Sequence, residues 1–158
     1  MFETIISGVL VYVAGQLVLR LVIEPVHALK SAFASTSEVL LVNAPFIYSP
    51  TALSDEQRAE LKARLLESAA NLRAKLMLVP AYKFWGWVFR LPPEADVHAA
   101  AQDLIAIGNW CYSSSTAVHE HIISHVQKAS DRLGIFVPDN SRVSKELLHA
   151  AIKASFER

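Results

Sequence analysis

Sixteen consecutive residues, from Thr4 to Leu19, carry no charge, and after the single interruption of Arg20 the apolar run resumes as Leu21, Val22 and Ile23. A helix needs about 20 predominantly apolar residues to cross the hydrocarbon of a bilayer. This run reaches that length when Arg20 sits at the boundary and extends its long side chain toward the headgroups. Two other fates suit a run of this composition less well. A cleaved signal peptide wants a basic stretch before its apolar core and a small-x-small site after it. Here Met1, Phe2 and Glu3 precede the core, and Arg20, Leu21 and Val22 follow it. A core helix or buried strand of a soluble domain is also rich in Val and Leu, but does not ordinarily need so long an uninterrupted stretch. The run predicts a retained transmembrane helix, with residues 1–24 as anchor and 25–158 as body.

Flanking charge orients a span, and Lys and Arg count for more than acids. Only Glu3 and the chain terminus lie on the amino side, whereas Arg20 and Lys30 lie on the carboxyl side. The expected topology is single-pass, with the amino terminus outside and the body cytoplasmic. Within the span, Gly8 and Gly15 are seven apart and share a helix face, with Val11 near the same stripe. Small residues let two membrane helices approach closely, and Gln16 offers an amide to hydrogen-bond across such a contact. This stripe predicts self-association or docking on another membrane subunit.

The 158 residues leave room for one body of roughly 120–130 residues after the anchor, enough for a single core. Apolar residues make up 53% of the chain, above the usual soluble range, which supports membrane contact independently of the first run. Lys plus Arg and Asp plus Glu stand at 15 each, so there is no basic field to attract nucleic acid. Cys111 is the single cysteine, which excludes an internal disulfide and any thiolate-only zinc site.

The body reads as helical throughout. Residues 24–42 continue as helix, with Val26, Leu29, Phe33 and Ser37 near one face, after a kink or break expected at Pro25. The prolines Pro45 and Pro50 mark Asn43–Ser54 as loop, unusually apolar at Phe46, Ile47 and Tyr48. Ser54 and Gln57 form a capping-box pattern, ahead of a helix whose stripe is Leu61, Leu65, Ala69, Leu72 and Leu76 and whose wet side pairs Glu60 with Arg64. Pro92, Pro93, Glu94 and Asp96 open another helix, with Val97, Ala101, Leu104, Ile105 and Gly108 on its packing side. Ser113 to Thr116 form a polar cluster able to end one helix and cap the next. Val118, Ile122, Val126 and Ala129 recur at helical spacing before the stop at Gly134. A last helix packs through Val143, Leu147, Leu148, Ala151, Ile152 and Phe156.

Between the second and third of these helices lie Tyr82, Phe84, Trp85, Trp87 and Phe89, with Lys75, Lys83 and Arg90 around them. Aromatic rings beside basic groups suit the headgroup level of a bilayer, where one end of the side chain is apolar and the other wet. The same rings would equally fill an ordinary core. Pattern alone leaves the two readings balanced, and the absent basic groove disfavours nucleic-acid stacking.

Chemistry is sparsely signalled. His121 and His125, four apart on a helix, can meet one divalent ion. His119 points to another side, and the spacing is not that of H-E-x-x-H, because Ile123 stands where the second histidine would be needed. A metal site would require Asp103, His98 or another distant ligand. Cys111 with His98 or His119, and Ser114 or Ser115 with His119, lack an elbow, an oxyanion motif and an orienting acid. No phosphate loop, C-x-x-C pair or EF-hand loop is present, and no cofactor is called for. The sequence thus predicts an all-α chain: one transmembrane helix followed by a four- or five-helix bundle. The leading role is a non-enzymatic assembly or scaffold protein of the bilayer, homo-oligomeric or bound to another subunit through Gly8, Gly15, Gln16, Tyr82, Trp85, Trp87 and Phe89. The alternative is a membrane-bound metal-dependent hydrolase using His121 and His125.

Overall fold

The computed structural model describes residues 2–48, 53–113 and 118–135, and every element among them is helical. The chain opens with α1 (Phe2–Val18), passes through a five-residue π turn (Leu19–Ile23) and runs on as α2 (Glu24–Val42). Pro25 neither breaks this helix nor starts a new one. A proline removes one helical N–H and its ring crowds the preceding turn. The π turn just before it takes up that conflict by widening the ladder by one residue, so that Glu24 N–H reaches Leu19 C=O. The disturbance expected at Pro25 is therefore present, but as a register shift inside a continuous helix.

After α2, Asn43 accepts the amides of Phe46 and Ile47 on its carbonyl and starts a short α3 (Ala44–Tyr48). Part of the stretch expected as loop is thus helix, because Pro45 occupies a first-turn position that needs no N–H. Ile47 is buried, whereas Phe46 is exposed. The capping box forms as the pattern required: Gln57 N–H donates to Ser54 Oγ, and Ser54 N–H donates to Gln57 Oε1. It opens α4 (Asp55–Met77), whose Leu61, Leu65, Ala69, Leu72 and Leu76 are all buried and whose Arg64 pairs with Glu60 at 2.7 Å. A short α5 (Tyr82–Val88) precedes α6 (Glu94–Trp110) and α7 (Val118–Leu133). Gly134, at φ 63°, ends α7 in the left-handed region that glycine enters without strain.

The long elements form an antiparallel bundle in which α4 packs on α2, α6 on α4 and α7 on α6. Its core joins Leu29, Phe33 and Leu40 to the α4 stripe, to Val97, Leu104 and Ile107, and to Val118, Ile122 and Val126. A Cβ at Gly108 would stand 3.4 Å from Lys62 Cγ and 3.6 Å from Lys62 Cα, ordinary contact distances, so α6 lies close against α4 at this point. The expected final helix, its caps Ser141 and Ser144 and most of the polar cluster lie outside the described residues.

Candidate functional site at the anchor end of the bundle

The apolar run is left uncovered by the described residues of the body. From Phe2 to Ile23 its large side chains are exposed wherever described, and Val22 alone is buried, while Leu21 and Ile23 beside it are exposed. Burial thus begins at the run's last turn, on one face of it, and the remainder of the run stays exposed. A soluble core helix would show the reverse. The run is long and apolar enough to cross a membrane, at about 1.5 Å per residue against a hydrocarbon core of about 30 Å. Gly8 and Gly15 have no heavy atom within 4 Å of where a Cβ would stand, so none of the described residues fills that stripe, and Gln16 beside it is half-buried.

Two contacts fix the helix register, and with it the side chains that share the anchor's end of the bundle. Thr36 Oγ1 lies 2.9 Å from Ser68 Oγ, and Asn43 lines a small hollow with Leu61, so α2 and α4 run antiparallel with these residues opposed. Met77, nine residues past Ser68, therefore comes level with His27, nine before Thr36. That is four residues beyond Ile23, about 6 Å along the axis. The Gly108 approach to Lys62 places α6 in the same way, with Glu94 level with Leu76. The end of α4, all of α5 and the start of α6 thus gather where the apolar run enters the body. Lys30 Nζ, 6.0 Å from the centre of the Phe89 ring, ties the residue that follows α5 to α2 three residues beyond His27.

There the aromatic residues divide. Tyr82, Trp85 and Phe89 are half-buried against the core, with Trp85 edge-on to Phe84 at 4.9 Å and 6.0 Å from Phe89. Phe84 and Trp87, 57% and 78% exposed, face outward together with Met77, Leu78 and Val88. Three of the five rings thus pack on the core, while Phe84 and Trp87 stand clear of it. Tyr82 donates its phenol proton to Pro92 C=O at 2.7 Å; burial first, and the Glu94 carboxylate second, push its pKa up from 10.0 to about 12.

α5 is bounded by two left-handed residues that are not glycine, Ala81 (φ 43°) and Arg90 (φ 52°). After α5 the Leu91 N–H reaches back to Gly86 C=O at 2.8 Å, closing a Schellman turn with Arg90 where glycine usually stands. Between α5 and the start of α6 lies an open hollow of about 1200 Å³, lined by Tyr82, Lys83, Trp87, Arg90, Leu91 and His98 among others.

The histidines expected to share a metal have separate partners. His121 stacks on Trp110, ring centres 4.4 Å apart and 6° from parallel. His125 Nδ1 meets Asp103 Oδ1 at 2.8 Å, while Arg132 binds Asp103 Oδ2. Asp103 was foreseeable as a neighbour. Arg132, which pairs with it, carries no sequence signal beyond its place seven residues from His125 and therefore on the same face of α7. Among the described residues no group of three or more His, Cys, Asp or Glu side chains is arranged to hold a metal ion. The Cys111 thiol is buried and donates to Ile107 C=O at 3.2 Å; burial raises its pKa, with Arg58 acting weakly the other way. It is a poor nucleophile in that state.

Fold and surface define a membrane-associated, all-α helical bundle carrying one apolar amino-terminal helix. No protein-family model, curated protein or solved structure matches the chain.

Proposed function

We propose that the chain is a single-pass membrane assembly protein. Residues 1–24 anchor it, its amino terminus is outside, its bundle is cytoplasmic, and its work is to hold together copies of itself or another membrane subunit. The observation that carries this reading is the anchor's uncovered apolar surface. Lipid satisfies most of that surface, and the open Gly8–Gly15 stripe with Gln16 beside it suits a second helix at close range. Arg20 and Lys30 on the carboxyl side support the orientation. The separate engagements of His121 and His125 give the metal-hydrolase alternative no positive support.

Light scattering of the detergent-solubilised full chain tests the assembly. The wild type is expected to run as an oligomer and Gly8→Leu with Gly15→Leu as a monomer. If the wild type is monomeric and a native pull-down from membranes brings no subunit that the double variant loses, the reading fails.

A further inference from the structure

The outward set at the anchor end of the bundle has no partner among the described residues, and its position says what covers it. Met77 and Leu78 stand level with His27 and Val26, about 5–6 Å beyond the last residue of the apolar run. The headgroup layer on each side of a bilayer is of about that thickness, since roughly 40–45 Å of membrane encloses about 30 Å of hydrocarbon. Burial begins at Val22, in the run's last turn, and is continuous with the core from Val26 on, so this end lies next to a bilayer that the run crosses. The chemistry matches the location. Phe84, Trp87 and Val88 are exposed apolar groups, and Lys83 and Arg90 are exposed cations beside them. Rings dip below the phosphates while basic groups meet them. Arg90 keeps a cation where a glycine would relax the backbone, and strain of this kind persists where a side chain has a task.

We infer that the anchor end of the bundle is a second membrane contact: Met77, Leu78, Phe84 and Trp87 enter the interface of the leaflet from which the anchor emerges, with Lys83 and Arg90 on its phosphates. This rests on the anchoring reading above. Two attachments in place of one fix the bundle's tilt, so that its far end, where α2 and α4 meet α3, is presented away from the bilayer at a set height.

The three tryptophans report on this directly. Trp87 belongs to the proposed contact, whereas Trp110 lies opposite the start of α4, roughly 30 Å along the axis from Ile23. The full chain is reconstituted into phosphatidylcholine vesicles whose acyl chains are brominated near the headgroup, with and without phosphatidylglycerol. One variant keeps only Trp87 (Trp85→Phe, Trp110→Phe), one keeps only Trp110 (Trp85→Phe, Trp87→Phe), and Trp110→Phe alone spares the half-buried Trp85. Brominated lipid is expected to cut Trp87 emission at least about twofold and to leave Trp110 nearly unchanged. Quenching that grows with phosphatidylglycerol assigns a share to Lys83 and Arg90. If the chain resists an alkaline wash yet Trp87 is no more quenched than Trp110, the second contact is overturned and the anchor stands. If the chain washes off, both fall.

Discussion

Thr36 and Ser68 face each other across the seam of α2 and α4 with hydroxyl oxygens 2.9 Å apart, and the direction of that bond is determined. Thr36 spends its only proton on Ala32 C=O at 2.8 Å, so Ser68 is the donor and Thr36 Oγ1 the acceptor. Both groups are buried. This pair sets the height at which α4 ends and therefore which side chains share the anchor's end of the bundle. Ser68→Ala and Thr36→Val each cost about 1 kcal/mol, because each leaves the other hydroxyl short of a partner, and the double variant costs less than their sum. Denaturant unfolding of the full chain in detergent measures this. Strict additivity would mean that the bond does not form.

Asp103 is 6% exposed on a helix face otherwise made of Val, Ala, Leu, Ile and Gly, and two α7 side chains meet its charge. Asp103→Ala strands Arg132 and His125 and is expected to cost about 2–3 kcal/mol, below the figure for a fully buried pair because Arg132 keeps a third of its exposure. One equivalent of zinc leaves the unfolding midpoint of the wild type unchanged, since His121 and His125 already have other partners. A clear zinc-dependent rise would revive the metal reading.

Trp85 and Trp87 are two residues apart and should behave oppositely. Trp85→Ala opens a gap against Phe84, Phe89 and the core and costs about 2 kcal/mol. Trp87→Ala removes a ring that is largely in solvent and stays within about 0.5 kcal/mol of wild type in detergent. Equal losses would place both rings in the core.

The phenol of Tyr82 titrates late. Its folded pKa lies above its unfolded one, so the fold favours the neutral form. That contribution is complete below pH 10.0 and is lost as pH rises toward about 12. Ultraviolet titration of the folded chain should show a late-ionising phase whose amplitude falls by one tyrosine in Tyr82→Phe. A late phase of unchanged amplitude would contradict the assignment.

Arg90 holds a left-handed backbone at the end of α5. Arg90→Gly is expected to raise stability by about 0.5–1 kcal/mol, the relief of strain exceeding the extra freedom of the unfolded chain. An unfolding midpoint at or below wild type would show that the Arg90 side chain also supports the fold.

What the sequence discloses follows from the range of the forces involved. The capping box at Ser54, the leucine stripe of α4, the acidic start of α6 and the stop at Gly134 are set by neighbours within a turn or two, and all are present as read. The division of the aromatic segment is not of that kind. Seven residues of α5 make two turns, too few for a periodicity to separate Trp85 from Trp87, and the separation comes from helices that approach from elsewhere. The Asp103–Arg132 pair joins residues 29 apart, so neither side chain announces the other. Pro25 carries the usual signal for a break, but the extra residue of a π turn absorbs it, and no composition rule marks that outcome. The same limit applies to α3, where a proline that reads as loop sits in a helix's first turn.

Side-specific labelling tests the central claim of a single crossing most directly. Phe2→Cys and Glu120→Cys are placed singly in the full chain, where Cys111 is buried and slow to react. Membranes of known sidedness are treated with a membrane-impermeant maleimide and then washed in alkaline carbonate. The account predicts that position 2 labels from the outer face, that position 120 labels only from the cytoplasmic face, and that both variants stay with the membrane. Labelling of both positions from one face, or release of the chain by the wash, would contradict it.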